Sequence, residues 1–261
     1  MTLYGKTISI LGDSISTFAD ISSGKAADRT KSTIRNNDVY YTNGRWGVTL
    51  EKTWWMRVIQ SLGLRLLVNN SWSGSCILRE HHGTVGTYVD RCVQLHCDVG
   101  EYADKEPDLI AVFMGTNDFT FYRNVLGAAA DIDYSRLIQK TDRGYEYETP
   151  CTTCEALAVT LHKMRVRYPR AEIFCMNLLP RRAENAENIP QPTQFNADIF
   201  SIATELGCHI VDLYHCGIPT NGEDFDQYFP DQRVHPNTLG MAAIANQVVS
   251  DIEKHFSKFE K

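Results

Sequence analysis

Short apolar runs rich in β-branched residues alternate along this chain with longer stretches of helical period, and that alternation restricts the fold more than any other feature. Thr7–Leu11, Leu64–Asn69, Leu109–Met114, Glu172–Asn177 and His209–Leu213 read as strands. Thr53–Leu62, Tyr88–Val99, Cys154–Tyr168, Gln194–Glu205 and Asn237–Phe256 read as helices. Strands that are apolar nearly throughout are buried on both faces, so the pattern predicts an α/β fold with a parallel sheet of about five strands covered by helices on either side. Three connections exceed what such a unit needs, at about 20–50, 119–150 and 178–192. Long loops of this kind carry binding elements or lids, and substrate choice is expected there. No repeat, low-complexity tract or Pro/Ser-rich linker divides the sequence, and residues 1–261 are read as one domain.

The charge balance of 26 Lys+Arg against 32 Asp+Glu includes no basic stretch dense enough to neutralise a phosphate backbone, so nucleic acid is not an expected partner. No run approaches the roughly 18 apolar residues of a membrane helix, and no membrane partner is expected. The segment Met1–Lys6 lacks the charged, apolar and small-residue regions of a secretory signal, which predicts a cytoplasmic protein. Its eight scattered cysteines agree with free thiols in a reducing compartment. Cys151 and Cys154 have the spacing of a metal or redox pair but no second pair to complete a site, and Cys92, His96 and Cys97 read as buried thiols beside an ordinary histidine. No Gly-x-Gly-x-x-Gly or Walker A pattern follows any strand, so neither a metal nor another cofactor is predicted.

Ligands of an open parallel sheet bind outside the carboxyl ends of its strands. Ser14 follows the first predicted strand, Gly74 the second and Asn117 the third, so three distant segments converge on one edge. A serine hydroxyl is a weak nucleophile without a positioned base. His235 is the best candidate: Pro236 disfavours helical geometry at His235 and suits a helix start, which places the imidazole just before the last helix. The positive end of that helix favours the neutral, proton-accepting ring. For the oxyanion formed by attack on an ester, the donors are the backbone N–H of Ser14, the backbone N–H of Gly74 and the side-chain amide of Asn117. Each residue also has a plain structural reading, with Ser14 or His235 as a helix cap, Gly74 as a turn glycine and Asn117-Asp118 as a helix start.

Four blocks, Gly12-Asp13-Ser14-Ile15-Ser16, Asn70-Ser71-Trp72-Ser73-Gly74, Gly115-Thr116-Asn117-Asp118 and His235-Pro236-Asn237, resemble those of the SGNH hydrolases, or GDSL esterase/lipase family. The resemblance implies a flavodoxin-like, three-layer α/β/α sandwich and metal-independent ester hydrolysis through an acyl-enzyme. It implies Ser14 as nucleophile, His235 as base, and Ser14, Gly74 and Asn117 as the oxyanion hole. One position departs from the family. Its aspartate usually stands three residues before the histidine, where this chain has Gln232; the nearest acid is Asp231, four residues before. A tight turn over 231–235 would let Asp231 complete a triad. Asp226 and Asp224 are lesser candidates, and a Ser-His dyad is the alternative.

Trp72, Trp46, Tyr40 and Tyr41 offer flat apolar faces suited to sugar rings or acyl groups, and Arg79, His81, His82 and Arg181-Arg182 offer positive charge or a solvated loop. The expected partner is a small-molecule ester: a short acyl group, acetyl above others, on a carbohydrate or related molecule. The alternatives are a lipid esterase or lysophospholipase, and a catalytically silent ligand-binding module on the same fold.

Overall fold

The computed structural model of the protein describes residues 3–18, 39–79, 85–97, 103, 105–138, 150–183 and 190–258. Five strands, β1 (Thr7–Gly12), β2 (Arg65–Ser71), β3 (Leu109–Phe113), β4 (Glu172–Met176) and β5 (His209–Val211), form one sheet in the order β2-β1-β3-β4-β5. All pairings are parallel. Because β1 lies between β2 and β3, the chain reverses its direction of travel across the sheet there, and the crevice at that reversal is where such sheets place ligands. The register aligns Gly12 with both Ser71 and Phe113, so the three strands end level and release their following loops at one edge.

Alternate strand residues divide the apolar core. Ile8, Ile10, Ala111, Phe113, Phe174 and Met176 face α1 (Trp54–Leu62) and α6 (Thr238–Ser257). Leu11, Ile110, Val112, Ile173 and Cys175 face α3 (Thr153–Arg167) and α4 (Thr193–Glu205). The result is the three-layer, flavodoxin-like arrangement expected. Local signals start and stop the helices: Thr152 and Glu155 form a capping box ahead of α3, and Gly63 ends α1 in the left-handed region at φ 63°. Two short helices, α2 (Thr116–Phe121) and α5 (Gly222–Asp226), add to the predicted set.

The helix predicted over Tyr88–Val99 is not formed. Its described part contains a 3₁₀ turn at Arg91–Val93, and Cys97 makes a bridge with Lys105. Tertiary partners take the backbone groups a helix would need: the Asn70 amide donates to the carbonyls of Arg91 and Gln94, and the Leu95 N–H donates to the Tyr168 hydroxyl at 2.8 Å. The Arg91 side chain is drawn inward, donating to the carbonyls of Gly12 and Asn70. Much of the three long connections, at 19–38, 139–149 and 184–189, lies outside the described residues, as do His81 and His82. Beyond the end of α2, the described part of 119–150 holds a series of 3₁₀ turns. Among the described residues no helix is long and apolar enough to cross a membrane.

Candidate active site

β1 leaves the sheet at Gly12, where a Cβ would stand 2.6 Å from Ser16 Oγ and 2.8 Å from Ser71 Oγ; only glycine lets the chain turn there without displacing both. The next residues make a 3₁₀ turn, Ser14–Ser16, capped by Asp13, whose carboxylate accepts the Ile15 N–H at 3.0 Å. With Asp13 as the cap, the Ser14 hydroxyl is left for other use, and its Oγ lies 2.9 Å from His235 Nε2.

His235 is not a helix cap either. Asn237 caps α6, accepting the N–H groups of Leu239 and Gly240, and His235 stands two residues ahead on the loop that enters the helix. Its Nδ1 lies 2.7 Å from Asp231 Oδ2. The four-residue spacing works because the loop curls around the carboxylate. Gln232 adopts φ 56°, a left-handed geometry uncommon for a residue with a Cβ. Asp231 Oδ1 then accepts the N–H groups of Arg233 at 2.9 Å and Val234 at 3.1 Å, and both carboxylate oxygens lie within 3.3 Å of the His235 nitrogen. Burial alone would push the Asp231 carboxyl up, but the hydrogen bond and attraction of His235 outweigh it and hold the group below its ordinary value. The lesser acids are engaged elsewhere, Asp226 with Arg182 at 3.0 Å and Asp224 with Asn221 at 2.8 Å.

Gly74 follows β2 in a turn closed by the Ser75 N–H on the Trp72 carbonyl, at a φ of 73° that favours glycine. Asn117 stands in the first turn of α2, and its amide donates to the Ser75 carbonyl at 2.9 Å, which ties the loops after β2 and β3 together. An amide has two N–H donors, so one remains for a ligand. The adjoining Asp118 makes the same tie, accepting the N–H groups of Ile77 and Leu78; burial pushes its carboxyl up to about 6. Asn117, Thr120, Phe121, Val234 and His235 line a cavity of about 490 Å³.

The profile of the GDSL-like lipase/acylhydrolase family matches residues 6–193. The chain belongs to this family. A crystal structure assigned as a GDSL-like lipase from Bacteroides ovatus is similar to it, with 24% identity and a TM-score of 0.62, covering 96% of this chain and 99% of that one. A carbohydrate esterase family 2 enzyme with a carbohydrate-binding domain, from Myceliophthora fergusii, has 19% identity and a TM-score of 0.54, covering 97% and 67%. An acetylxylan esterase from Geobacillus stearothermophilus has 18% identity and a TM-score of 0.52, covering 97% and 96%. These likenesses establish a shared fold. No curated protein sequence matches the chain. The family match ends before Asp231 and His235, so their assignment rests on geometry.

The surroundings of this GDSL-like site bring together aromatic residues that the sequence offered as flat apolar faces and one cation, Arg45, that it did not single out. Tyr40 stacks face to face on the His235 ring, with centroids 3.6 Å apart and planes 10° apart, and the Arg45 guanidinium lies 4.1 Å from the Tyr40 centroid. Tyr41, wholly buried, donates its hydroxyl to the Pro236 carbonyl at 2.6 Å. Trp46 reaches the cluster through Tyr40, at 5.7 Å between centroids. Trp72 instead covers Arg91, at 4.4 Å, and Arg79 is exposed, 6.0 Å from the Tyr122 ring; neither lines the cavity. Arg181, one of the residues read as either substrate contact or solvated loop, is 4% exposed. Asp13 is fully buried; desolvation, helped by the nearby Asp118 charge, raises its carboxyl to about 6 against the hydrogen bonds from the Ile15 N–H and Thr116 and the attraction of Arg181.

Proposed function

We propose that this member of the family is a serine esterase that removes a short acyl group, acetyl above others, from a carbohydrate or related small molecule through an acyl-enzyme. The observation that carries the reading is the continuous relay from Ser14 Oγ to His235 Nε2 at 2.9 Å and from His235 Nδ1 to Asp231 at 2.7 Å. In it Nδ1 donates to the carboxylate, which leaves Nε2 with its lone pair facing the serine. Ser14 attacks the ester carbonyl as its proton passes to Nε2. The tetrahedral oxyanion is held by the backbone N–H groups of Ser14 and Gly74 and by the free N–H of Asn117. Collapse expels the alcohol, which takes the proton from His235. Water, deprotonated by His235, then releases the acid and restores Ser14.

A cavity of about 490 Å³ with Tyr40 and Phe121 beside Asn117, Thr120 and Arg233 suits a substrate that is part apolar and part hydroxylated. The acetylxylan esterase and the carbohydrate esterase that share the fold act in keeping with that substrate class. The test is turnover of p-nitrophenyl acetate, butyrate and octanoate by wild type and Ser14→Ala, with intact mass after an organophosphonate probe. The expected result is turnover that requires Ser14, is fastest on acetate and leaves one adduct on the wild type alone. Octanoate fastest would favour the lipid esterase; turnover undiminished in Ser14→Ala would refute the mechanism.

A further inference from the structure

At the end of the sheet opposite Ser14, the first residues of β4 and β5 and the last turns of α6 bring together Glu172, His209 and His255. Glu172 Oε2 lies 2.6 Å from His209 Nε2 and 3.8 Å from His255 Nε2. One ligand atom from each residue fits within 4.8 Å of both others. We propose that these three side chains bind a divalent transition-metal ion of the zinc class.

Two imidazole nitrogens and one carboxylate oxygen form a donor set suited to Zn²⁺, and bonds of about 2.0–2.2 Å in tetrahedral array require ligand atoms roughly 3.4 Å apart. The glutamate must therefore move about 0.8 Å away from His209 and about 0.4 Å towards His255, adjustments within reach of side-chain rotation. The imidazoles are already packed side by side. Their centroids are 3.6 Å apart, and Phe174 packs against both, at 4.9 Å from His209 and 5.7 Å from His255. An ion has a way in, because the three side chains are 15–40% exposed and a cavity of about 300 Å³ opens on both histidines. That space leaves the fourth position to water, as in zinc sites with three protein ligands. Lys254 and Lys258 line the same cavity and oppose a cation, while Asp251 offsets part of their charge. The ion would clasp the end of α6 to the edge strand β5. His235 precedes the other end of that helix, whose 20 residues span about 30 Å. The clasp is thus a stabilising site remote from ester chemistry and independent of it.

The competing arrangement is a plain Glu172–His209 hydrogen bond with His255 stacked beside it, which needs no ion. The full chain, stripped with a chelator and dialysed, is titrated with Zn²⁺ by calorimetry and its bound metal counted by mass spectrometry. One ion per chain at micromolar or lower Kd is expected, with a rise in Tm of about 5 °C or more at a hundredfold excess over Kd. His209→Gln and Glu172→Gln, which retain hydrogen-bonding side chains and so guard against misfolding, should each weaken binding by roughly 100-fold. His215→Ala, at an exposed histidine paired with Asp212, should bind as wild type does. X-ray absorption of the zinc form should show nitrogen and oxygen neighbours with two imidazoles. No binding at micromolar Zn²⁺, unchanged affinity in His209→Gln or Glu172→Gln, or sulfur in the coordination shell would each overturn the assignment.

Discussion

Asp231→Asn is the substitution whose effect follows most directly from the loop around His235. Asp231 Oδ1 accepts the N–H groups of Arg233 and Val234, while Oδ2 faces His235 Nδ1 at 2.7 Å. An asparagine must leave its oxygen where those backbone donors point, so its NH₂ group turns towards Nδ1. The ring then has to accept at Nδ1 and carry its proton on Nε2, which presents a donor to Ser14 instead of a base. Loop and fold persist, because the backbone donors keep their acceptor. Losing the correct tautomer in such a relay costs on the order of 10⁴ in kcat, or about 5.4 kcal/mol of transition-state stabilisation. The assay is kcat on p-nitrophenyl acetate for wild type and variant, with ¹⁵N NMR of His235 to locate its proton and circular dichroism to check folding. A folded variant within about tenfold of wild type would refute the tautomer argument and favour a Ser-His dyad. A large loss with the proton still on Nδ1 would refute it too, since the cause would lie in orientation alone.

Other perturbations read other parts of the site. Asn117→Ala removes the amide whose second N–H is assigned to the oxyanion, and kcat should fall by about 100-fold or more; a loss confined to KM would contradict that role. Tyr40→Ala deletes the ring stacked 3.6 Å from His235, and an aromatic pair of that kind is worth about 0.5–1.5 kcal/mol, or roughly a 2- to 12-fold loss in kcat/KM. Tyr40→Phe keeps the ring and should match wild type, whereas equal losses in the two variants would assign the effect to the hydroxyl. Asp13 is an acid whose folded value is raised from 3.8 to about 6 by burial. Below about 4 both folded and unfolded states are protonated and its ionisation has no cost; between 4 and 6 the unfolded state ionises first, so stability falls as pH rises and stays lowered above 6. Asp13→Asn removes this dependence. The variant should therefore gain on wild type by on the order of 3 kcal/mol between pH 4 and pH 7.5 in urea denaturation, and parallel profiles would refute the burial argument.

What was legible in the sequence were properties carried by neighbouring residues. Each observed strand overlaps its predicted run, with ends shifted by no more than two residues, because an apolar run between turn residues has few alternatives to a buried parallel strand. The common edge at which Ser14, Gly74 and Asn117 lie was legible for the same reason: each follows a strand end, and level strand ends set their loops side by side. The helix expected over Tyr88–Val99 failed because its residues answer to partners far away in sequence. Arg91 serves the carbonyls of Gly12 and Asn70, and Asn70 in turn holds the carbonyls of Arg91 and Gln94.

Asp231 stands between these cases. Spacing alone left open whether it or a more distant acid meets His235, since one extra residue ordinarily turns a side chain away. The chain resolves this at a single dihedral: Gln232 takes φ 56°, and the residue it inserts is absorbed in the bend. A non-glycine residue held in that region carries a backbone cost of about 1–2 kcal/mol. Such strain persists only where the surroundings over-determine it, and here three successive N–H groups closing on one carboxylate supply the constraint. Nothing in the composition of Asp231-Gln232-Arg233-Val234-His235 announces that loop; it exists because the carboxylate is there to be wrapped. The acid that orients His235 is therefore also the acid that folds the loop carrying it, so orientation and local structure are one property of this segment.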